Sequence, residues 1–192
     1  MTKDQALKLL HSKMKNQNLR RHCYAVSAVM GALYKRLEHS SQSKSAKDIW
    51  EIVGLLHDGD YEETKGTPEL HTLKMYEWLK KDGVKEKLIL EAILSHNYVH
   101  TGKTPPKNNL EWSLYCCDEL TGLIVAVALV KEAKLSNVTV DSIENKWDKS
   151  GFAGGVDRKQ IKECESRLNI PLREFIEISL NAMQGVHEDL GL

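Results

Sequence analysis

The sequence predicts an all-α fold, one helical bundle with additional helices at its C-terminal end. Three observations carry that prediction. Apolar residues recur at alternating steps of three and four along nearly the whole chain, as in Leu19, His22, Val26, Val29, Leu33 and Leu37, which is the spacing of one helix face. Helix-start signatures accompany the pattern at Thr2-x-x-Gln5, Ser45-x-x-Asp48, Asp141-x-x-Glu144 and Asp157-x-x-Gln160, where a short polar side chain satisfies the first free N–H groups of a helix. No glycine-rich phosphate loop follows a strand pattern, and no repeat period emerges.

In chain order, the capping box at Thr2 opens a helix over about 2–14, with Ala6, Leu7, Leu9, Leu10 and Met14 on its apolar face. A second helix carries the Leu19–Leu37 stripe and is broken by the serine-rich stretch His39 to Ser45. Ser45 caps a third, whose apolar positions from Ile49 to Leu56 run into His57-Asp58-Gly59, with Gly59 as its stop. After a polar loop from Asp60 to Gly66, Thr67-Pro68 opens a helix that ends at Asp82-Gly83. A shorter helix covers about 85–96 and ends at His96, before a loop with Thr101-Gly102-Lys103 and Pro105-Pro106, expected to be mobile. From Asn109 a long pattern runs through Leu114, Asp118, Thr121, Val125 and Leu129. Its stretch Leu123 to Val130, apolar on all sides, reads as a buried helix, because no turn signal detaches it as a β-strand. Three further segments start at Asp141, Asp157 and Pro171, joined by the glycine-rich stretch 151–155. The whole chain, 1–192, reads as one domain with a core of about 18–132 and a helical extension of about 138–190.

Composition narrows the function. Twenty-seven Lys+Arg balance twenty-seven Asp+Glu, so no global field marks a nucleic-acid or membrane-surface binder. The apolar run Leu123 to Val130 is far shorter than the roughly 20 residues of a spanning helix, and the N-terminal residues lack a signal-peptide apolar region, so a cytoplasmic protein is expected. The four cysteines, Cys23, Cys116, Cys117 and Cys164, show no C-x-x-C spacing and read as buried, reduced thiols.

Eight histidines are more informative. Polar residues that interrupt apolar stripes or end helices are His22, His57, Asp58, His71, His96 and Asp118. Burying two carboxylates without compensation costs several kcal/mol each, and no arginine shares their stripes. A divalent cation would stabilise all six groups together. His100 reads as a loop residue, and His11, His39 and His187 as surface residues.

The order His22, then His57-Asp58, then Asp118 in helical sequence resembles the HD-domain superfamily of metal-dependent hydrolases. The likeness extends to Leu55-Leu56-His57-Asp58-Gly59-Asp60-Tyr61-Glu62, to Ala92-Ile93-Leu94-Ser95-His96-Asn97, to the stretch 114–123 around Asp118, and to Gly155-Val156-Asp157-Arg158. These are similar to the small stand-alone HD proteins related to the HDIG group, although Gly59-Asp60 stands where the narrower signature has Ile-Gly. The resemblance implies a core metal set of His22, His57, Asp58 and Asp118. In binuclear members two more histidines complete a second site bridged by the doublet aspartate, and His71 and His96 fit those positions.

The implied cofactor is one or two divalent ions, Mn, Fe, Ni, Co, Zn or Mg, since imidazole and carboxylate donors without a thiolate do not make a closed structural zinc site. The implied activity is hydrolysis of a small phosphorylated substrate, a phosphomonoester or phosphodiester that includes nucleotides, by a metal-activated water, with His57 and Asp58 as the catalytic pair. Lys103, Arg21 and Glu62 are the candidates for substrate binding; Arg20, Asp60, Glu63, Lys65 and Lys107 occupy comparable positions. Two other functions fit the same residues: an HD-fold mixed-valent di-iron oxygenase, and a non-catalytic metal-binding protein.

Overall fold

The computed structural model describes residues 1–38, 44–149 and 151–192. Among them every regular element is helical, so the fold is all-α. The elements are α1 (Lys3–Lys13), α2 (Gln17–Leu37), α3 (Lys44–Leu56), α4 (Tyr61–Thr64), α5 (Leu73–Lys81), α6 (Lys87–His96), α7 (Tyr98–Thr101), α8 (Asn109–Leu129), α9 (Val140–Trp147), α10 (Arg158–Arg167), α11 (Leu172–Gln184) and α12 (His187–Leu190), with 3-10 turns at Pro68–Leu70 and Leu135–Asn137.

The long helices α2 and α8 form the centre, and α3 and α6 pack against them on one side and α10 and α11 on the other. One apolar core runs from Ala6 through Val53, Ile93 and Leu120 to Phe175 and Leu190. Helices α2 and α3 approach closely where Gly54 leaves room for the backbone of Ser27: a Cβ at residue 54 would lie 2.8 Å from the Ser27 Cα. Ser27 Oγ donates to the Glu51 carbonyl across the same contact, at 2.8 Å. This tight packing places His22 of α2 beside His57 at the end of α3.

The predicted starts at Thr2 and Asp157 are present, each side chain accepting from N–H groups of its helix. Others differ. Helix α3 begins at Lys44, so Ser45, the last residue of the predicted break, lies inside its first turn; the part of that break over 39–43 and the surface position of His39 lie outside the described residues. Thr139, with Ser142, makes the capping box of α9, so Asp141 sits in the first turn. Gly59 is not a left-handed stop; it is small because a Cβ there would come 2.7 Å from the Met75 sulfur. Thr67-Pro68 opens only a 3-10 turn, because Thr72 takes a left-handed φ of 70° and α5 starts after it. Helix α8 is buried along most of its length, but Leu129 and Val130 at its end are each 60% exposed. It is the one described helix long and apolar enough to cross a bilayer, and more than half of it is buried inside the protein.

All four cysteines are buried and unpaired, as expected. The chain after Val138 packs back onto α2 and α8, and Arg158 anchors the glycine-rich stretch by donating to the carbonyls of Trp147, Phe152, Ala153 and Val156. That anchoring brings Val156 and Gln160 to the cleft described next.

Candidate metal centre

His22, His57, Asp58, His71, His96 and Asp118 converge: five of them line one cleft of about 500 Å³, and His57 is buried directly behind them. Asp118 Oδ1 lies 2.8 Å from His22 Nε2 and 3.4 Å from His57 Nε2. Asp58 faces both ways: Oδ1 is 3.2 Å from His71 Nε2 and 3.2 Å from His96 Nε2, while Oδ2 is 3.8 Å from His22 Nε2 and 3.7 Å from His57 Nε2.

The rings are oriented from behind. His57, fully buried, holds its Nδ1 against the Gly54 carbonyl at 2.7 Å, an acceptor that requires Nδ1 to carry the hydrogen. His71 Nδ1 meets Asp60 Oδ1 at 2.7 Å. Thr121 Oγ1 donates to the Asp118 carbonyl and is left to accept from His22 Nδ1 at 3.4 Å. In each neutral ring the proton is therefore held on Nδ1 and the Nε2 lone pair points inward, which is the arrangement that orients imidazole ligands. Two such lone pairs, His22 Nε2 and His57 Nε2, stand 3.2 Å apart beside two carboxylates. Only a positive charge between them makes that juxtaposition favourable, so the donor set fits a divalent cation.

Without a cation, protons take that role. Burial opposes charge on His22, yet its hydrogen bond to Asp118 and the nearby Asp58 raise its pKa to about 9. Burial likewise opposes charge on His71, which Asp58 and Asp60 raise to about 9. His96 is shifted down, because burial outweighs Asp58. Burial pushes the Asp58 and Asp118 carboxyls up, but the surrounding imidazoles win and hold both below the ordinary carboxylate range.

Of the residues expected to meet substrate, three lie elsewhere. Lys103 is exposed in the turn after α7, where its N–H donates to Thr101 Oγ1, and it does not line the cleft. The loop that carries it is tied down by the Thr104 hydroxyl, which donates to the Leu94 carbonyl. Arg21 projects about 100° around α2 from His22, its guanidinium against Gly191, and it does not line the cleft. Glu62 accepts from the backbone N–H groups of Lys15 and Asn16, at 2.6 and 3.1 Å, and clamps the α1–α2 turn. Arg20 is similarly used up on the carbonyls of Met14 and His11.

Other residues take those places. Lys65 and His100 line the cleft, so His100 is more than a loop residue. Asp60 is fully buried and receives Met75 N–H at 3.0 Å as well as His71. Asn97, also buried, donates from Nδ2 to the carbonyls of Pro68 and His71 and fixes the turn that carries His71. His71 itself sits at the junction between that turn and α5, not in a helical first turn. Two charged or polar residues from α8 and α10, Glu119 and Gln160, complete the wall with Leu19, Gly122 and Val156. Comparison of the chain with known protein families, with curated proteins and with solved structures returned no match.

Proposed function

We propose that this chain is a metal-dependent phosphohydrolase with an HD-type helical site, acting on a small phosphorylated substrate. The observation that carries the reading is the position of Asp58, whose two oxygens serve separate imidazole sets at the floor of an open cleft. His22, His57 and Asp118 would hold one ion, His71 and His96 a second, and Asp58 would be shared by both. Divalent ions there supply Lewis acidity toward phosphoryl oxygens and water.

The chain's own groups then have defined tasks. Four neutral imidazoles and two carboxylates carry about −2, so two divalent cations leave the floor near +2, a charge that favours a phosphate. Lys65, at the mouth, adds a cationic donor for its outer oxygens, and His100 lines the same wall. Thr121, the Gly54 carbonyl and Asp60 keep the protons of His22, His57 and His71 on Nδ1. Leu19, Pro68, Val99 and Val156 line the cleft with apolar surface that limits water around the reacting group.

The test is phosphate release under strictly anaerobic conditions with Mg²⁺, Mn²⁺ or Zn²⁺, across mononucleotides, dinucleoside polyphosphates, cyclic nucleotides and sugar phosphates. Turnover with a redox-inert metal, abolished in Asp58→Ala, is the expected result. Turnover only with iron and dioxygen would establish an oxygenase instead, and full metal content without any turnover would leave a binding protein.

A further inference from the structure

On the side of the cleft next to His22 and Asp118, two hydrogen-bond acceptors have capacity that the protein does not use. Gln160 lines the cleft and is only 5% exposed. Its Nε2 donates to the Tyr115 carbonyl at 2.7 Å, which fixes the orientation of the amide, because the flipped form would set two carbonyl oxygens against each other. Oε1 is thereby left as an acceptor, and it is buried without a partner among the described residues. A buried acceptor without a donor is costly, and such groups are rare unless a ligand or water meets them.

Glu119 lines the same recess. Its Oε2 accepts from Asp157 N–H at 2.9 Å, and its other oxygen has no protein donor among the described residues. The Asp157 contact joins α8 to the start of α10, so Glu119 and Gln160 are held by one junction. Between them the wall is Gly122, which presents no side chain, and Val156, with Leu19 adjoining from α2. The recess is apolar-walled and edged by acceptors. By contrast, Lys65 and His100 belong to the elements next to His71 and His96.

We propose that Gln160 and Glu119 are specificity-determining residues that accept hydrogen bonds from N–H or O–H groups on the organic part of a phosphorylated substrate. The proposal rests on the phosphohydrolase reading for the position of the phosphate, and the acceptor pair itself rests on contacts independent of it. The cleft accordingly offers Lys65 for the phosphate and the Gln160–Glu119 pair for a donor-bearing group. Amino groups of a nucleobase and hydroxyls of a sugar share that chemistry. A phosphoester without donors would leave the buried oxygen unpaired, and sites built around a hydrogen bond discriminate strongly against analogues that lack it.

The experiment compares kcat/KM for nucleoside 5′-monophosphates and hexose phosphates with that for phenyl phosphate, in the wild type, Gln160→Leu and Glu119→Gln. Gln160→Leu should lower the donor-bearing ratio by about tenfold or more while phenyl phosphate changes by less than about twofold. Gln160→Met, unbranched and closer in length, replaces Gln160→Leu if thermal unfolding shows the latter to be disrupted. Calorimetric binding of phosphate-free nucleosides and monosaccharides supplies a second readout that needs no turnover, and Gln160→Leu should weaken it by a similar factor. Absence of phosphate release with retained nucleoside or sugar binding would sink the hydrolase reading alone. Equal losses for phenyl phosphate and the donor-bearing substrates, or unchanged binding in Gln160→Leu, would mean that Oε1 meets only water, and would overturn the proposal. Calorimetry with free nucleobases and with monosaccharides distinguishes base N–H from sugar O–H donors, because a nucleoside carries both.

Discussion

Asp60→Asn separates the orientation of His71 from its presence. The wild-type carboxylate is fully buried, with one oxygen 2.7 Å from His71 Nδ1 and the other 3.0 Å from Met75 N. Asparagine offers one oxygen and one NH₂ group in the same volume. The Met75 amide is a fixed donor, and facing it with NH₂ would leave buried donors unsatisfied, at a cost of about 1–3 kcal/mol. The asparagine oxygen therefore turns to Met75 and the NH₂ to His71. The imidazole accommodates this by moving its proton from Nδ1 to Nε2, which leaves no lone pair toward Asp58. Loss of an orienting partner behind a ligand histidine costs about 10–100-fold in metal affinity, equivalent to about 1.4–2.8 kcal/mol. Reconstitution with Mn²⁺ under anaerobic conditions should give two ions per wild-type chain and a ratio falling toward one in Asp60→Asn, as in His71→Ala. Nitrogen NMR of the histidine side chains should place the His71 proton on Nε2. Two ions bound with unchanged affinity, and a proton still on Nδ1, would refute the reasoning.

Metal binding should release protons: His22 and His71, each raised to about 9 in the metal-free protein, are protonated at pH 7 and must lose their protons to ligate. Apparent affinity should therefore climb between pH 7 and about 9 and then level off, whereas a flat profile in calorimetry across buffers would contradict the assignment. The metal-free protein should show the opposite trend, since folded pKa values above the unfolded 6.5 give stability that is complete below that value and lost as pH rises through about 9. Gly54→Ala should destabilise the fold by about 1–3 kcal/mol, because the added methyl meets the Ser27 backbone, which cannot rotate away; an unchanged denaturation midpoint would count against that contact. Lys65→Ala should raise KM for a phosphorylated substrate and Lys103→Ala should leave it unchanged, which steady-state kinetics on the two variants can check.

The helical architecture was legible in the sequence because its signals are local. A capping box such as Thr2 with Gln5 is decided within four residues, and a histidine inside the α2 stripe stands out against its apolar neighbours. Five of the six converging donors, His22, His57, Asp58, His96 and Asp118, were legible for the same reason, as interruptions or ends of helices; His71 stands at an irregular junction. The groups that support the donors were not legible. Asp60, Glu62 and Glu63 are indistinguishable as closely spaced acidic residues after the doublet, yet Asp60 is buried against His71, Glu62 clamps a backbone turn 46 residues earlier in the chain, and Glu63 is exposed. Lys65 and Lys103 present the same ambiguity, resolved only by the way α4 and α7 pack around the cleft. Gln160 carries only a helix-start signal, as the partner of Asp157, whereas its side chain reaches the Tyr115 carbonyl and its place at the cleft depends on α10 returning to α8. The predicted helix from Thr67 failed for a different reason: the site requires a break at Thr72, and that left-handed residue is selected by the packing of His71 and Asn97, not by its own preference.

The two imidazole sets differ in how they are held, and the difference bears on what each can do. His22 and Asp118 project from the interiors of long helices, α2 and α8, whose backbone positions are fixed by intrahelical bonds on both sides. His57 follows directly on the end of α3, and its ring is locked by the Gly54 carbonyl of that helix. His71 instead stands at an irregular junction, and His96 is the last residue of α6 with a buried Nδ1 that has no partner among the described residues. The C-terminal ends of α3 and α6 add partial negative charge, which favours a cation, but only the first set combines that field with rigid attachment. Under the two-ion reading, the first set is the preorganised one and the second depends on Asp60 and Asn97 for its geometry. That asymmetry is the reason a change at Asp60, which touches neither α2 nor α8, is expected to remove one ion and leave the other in place.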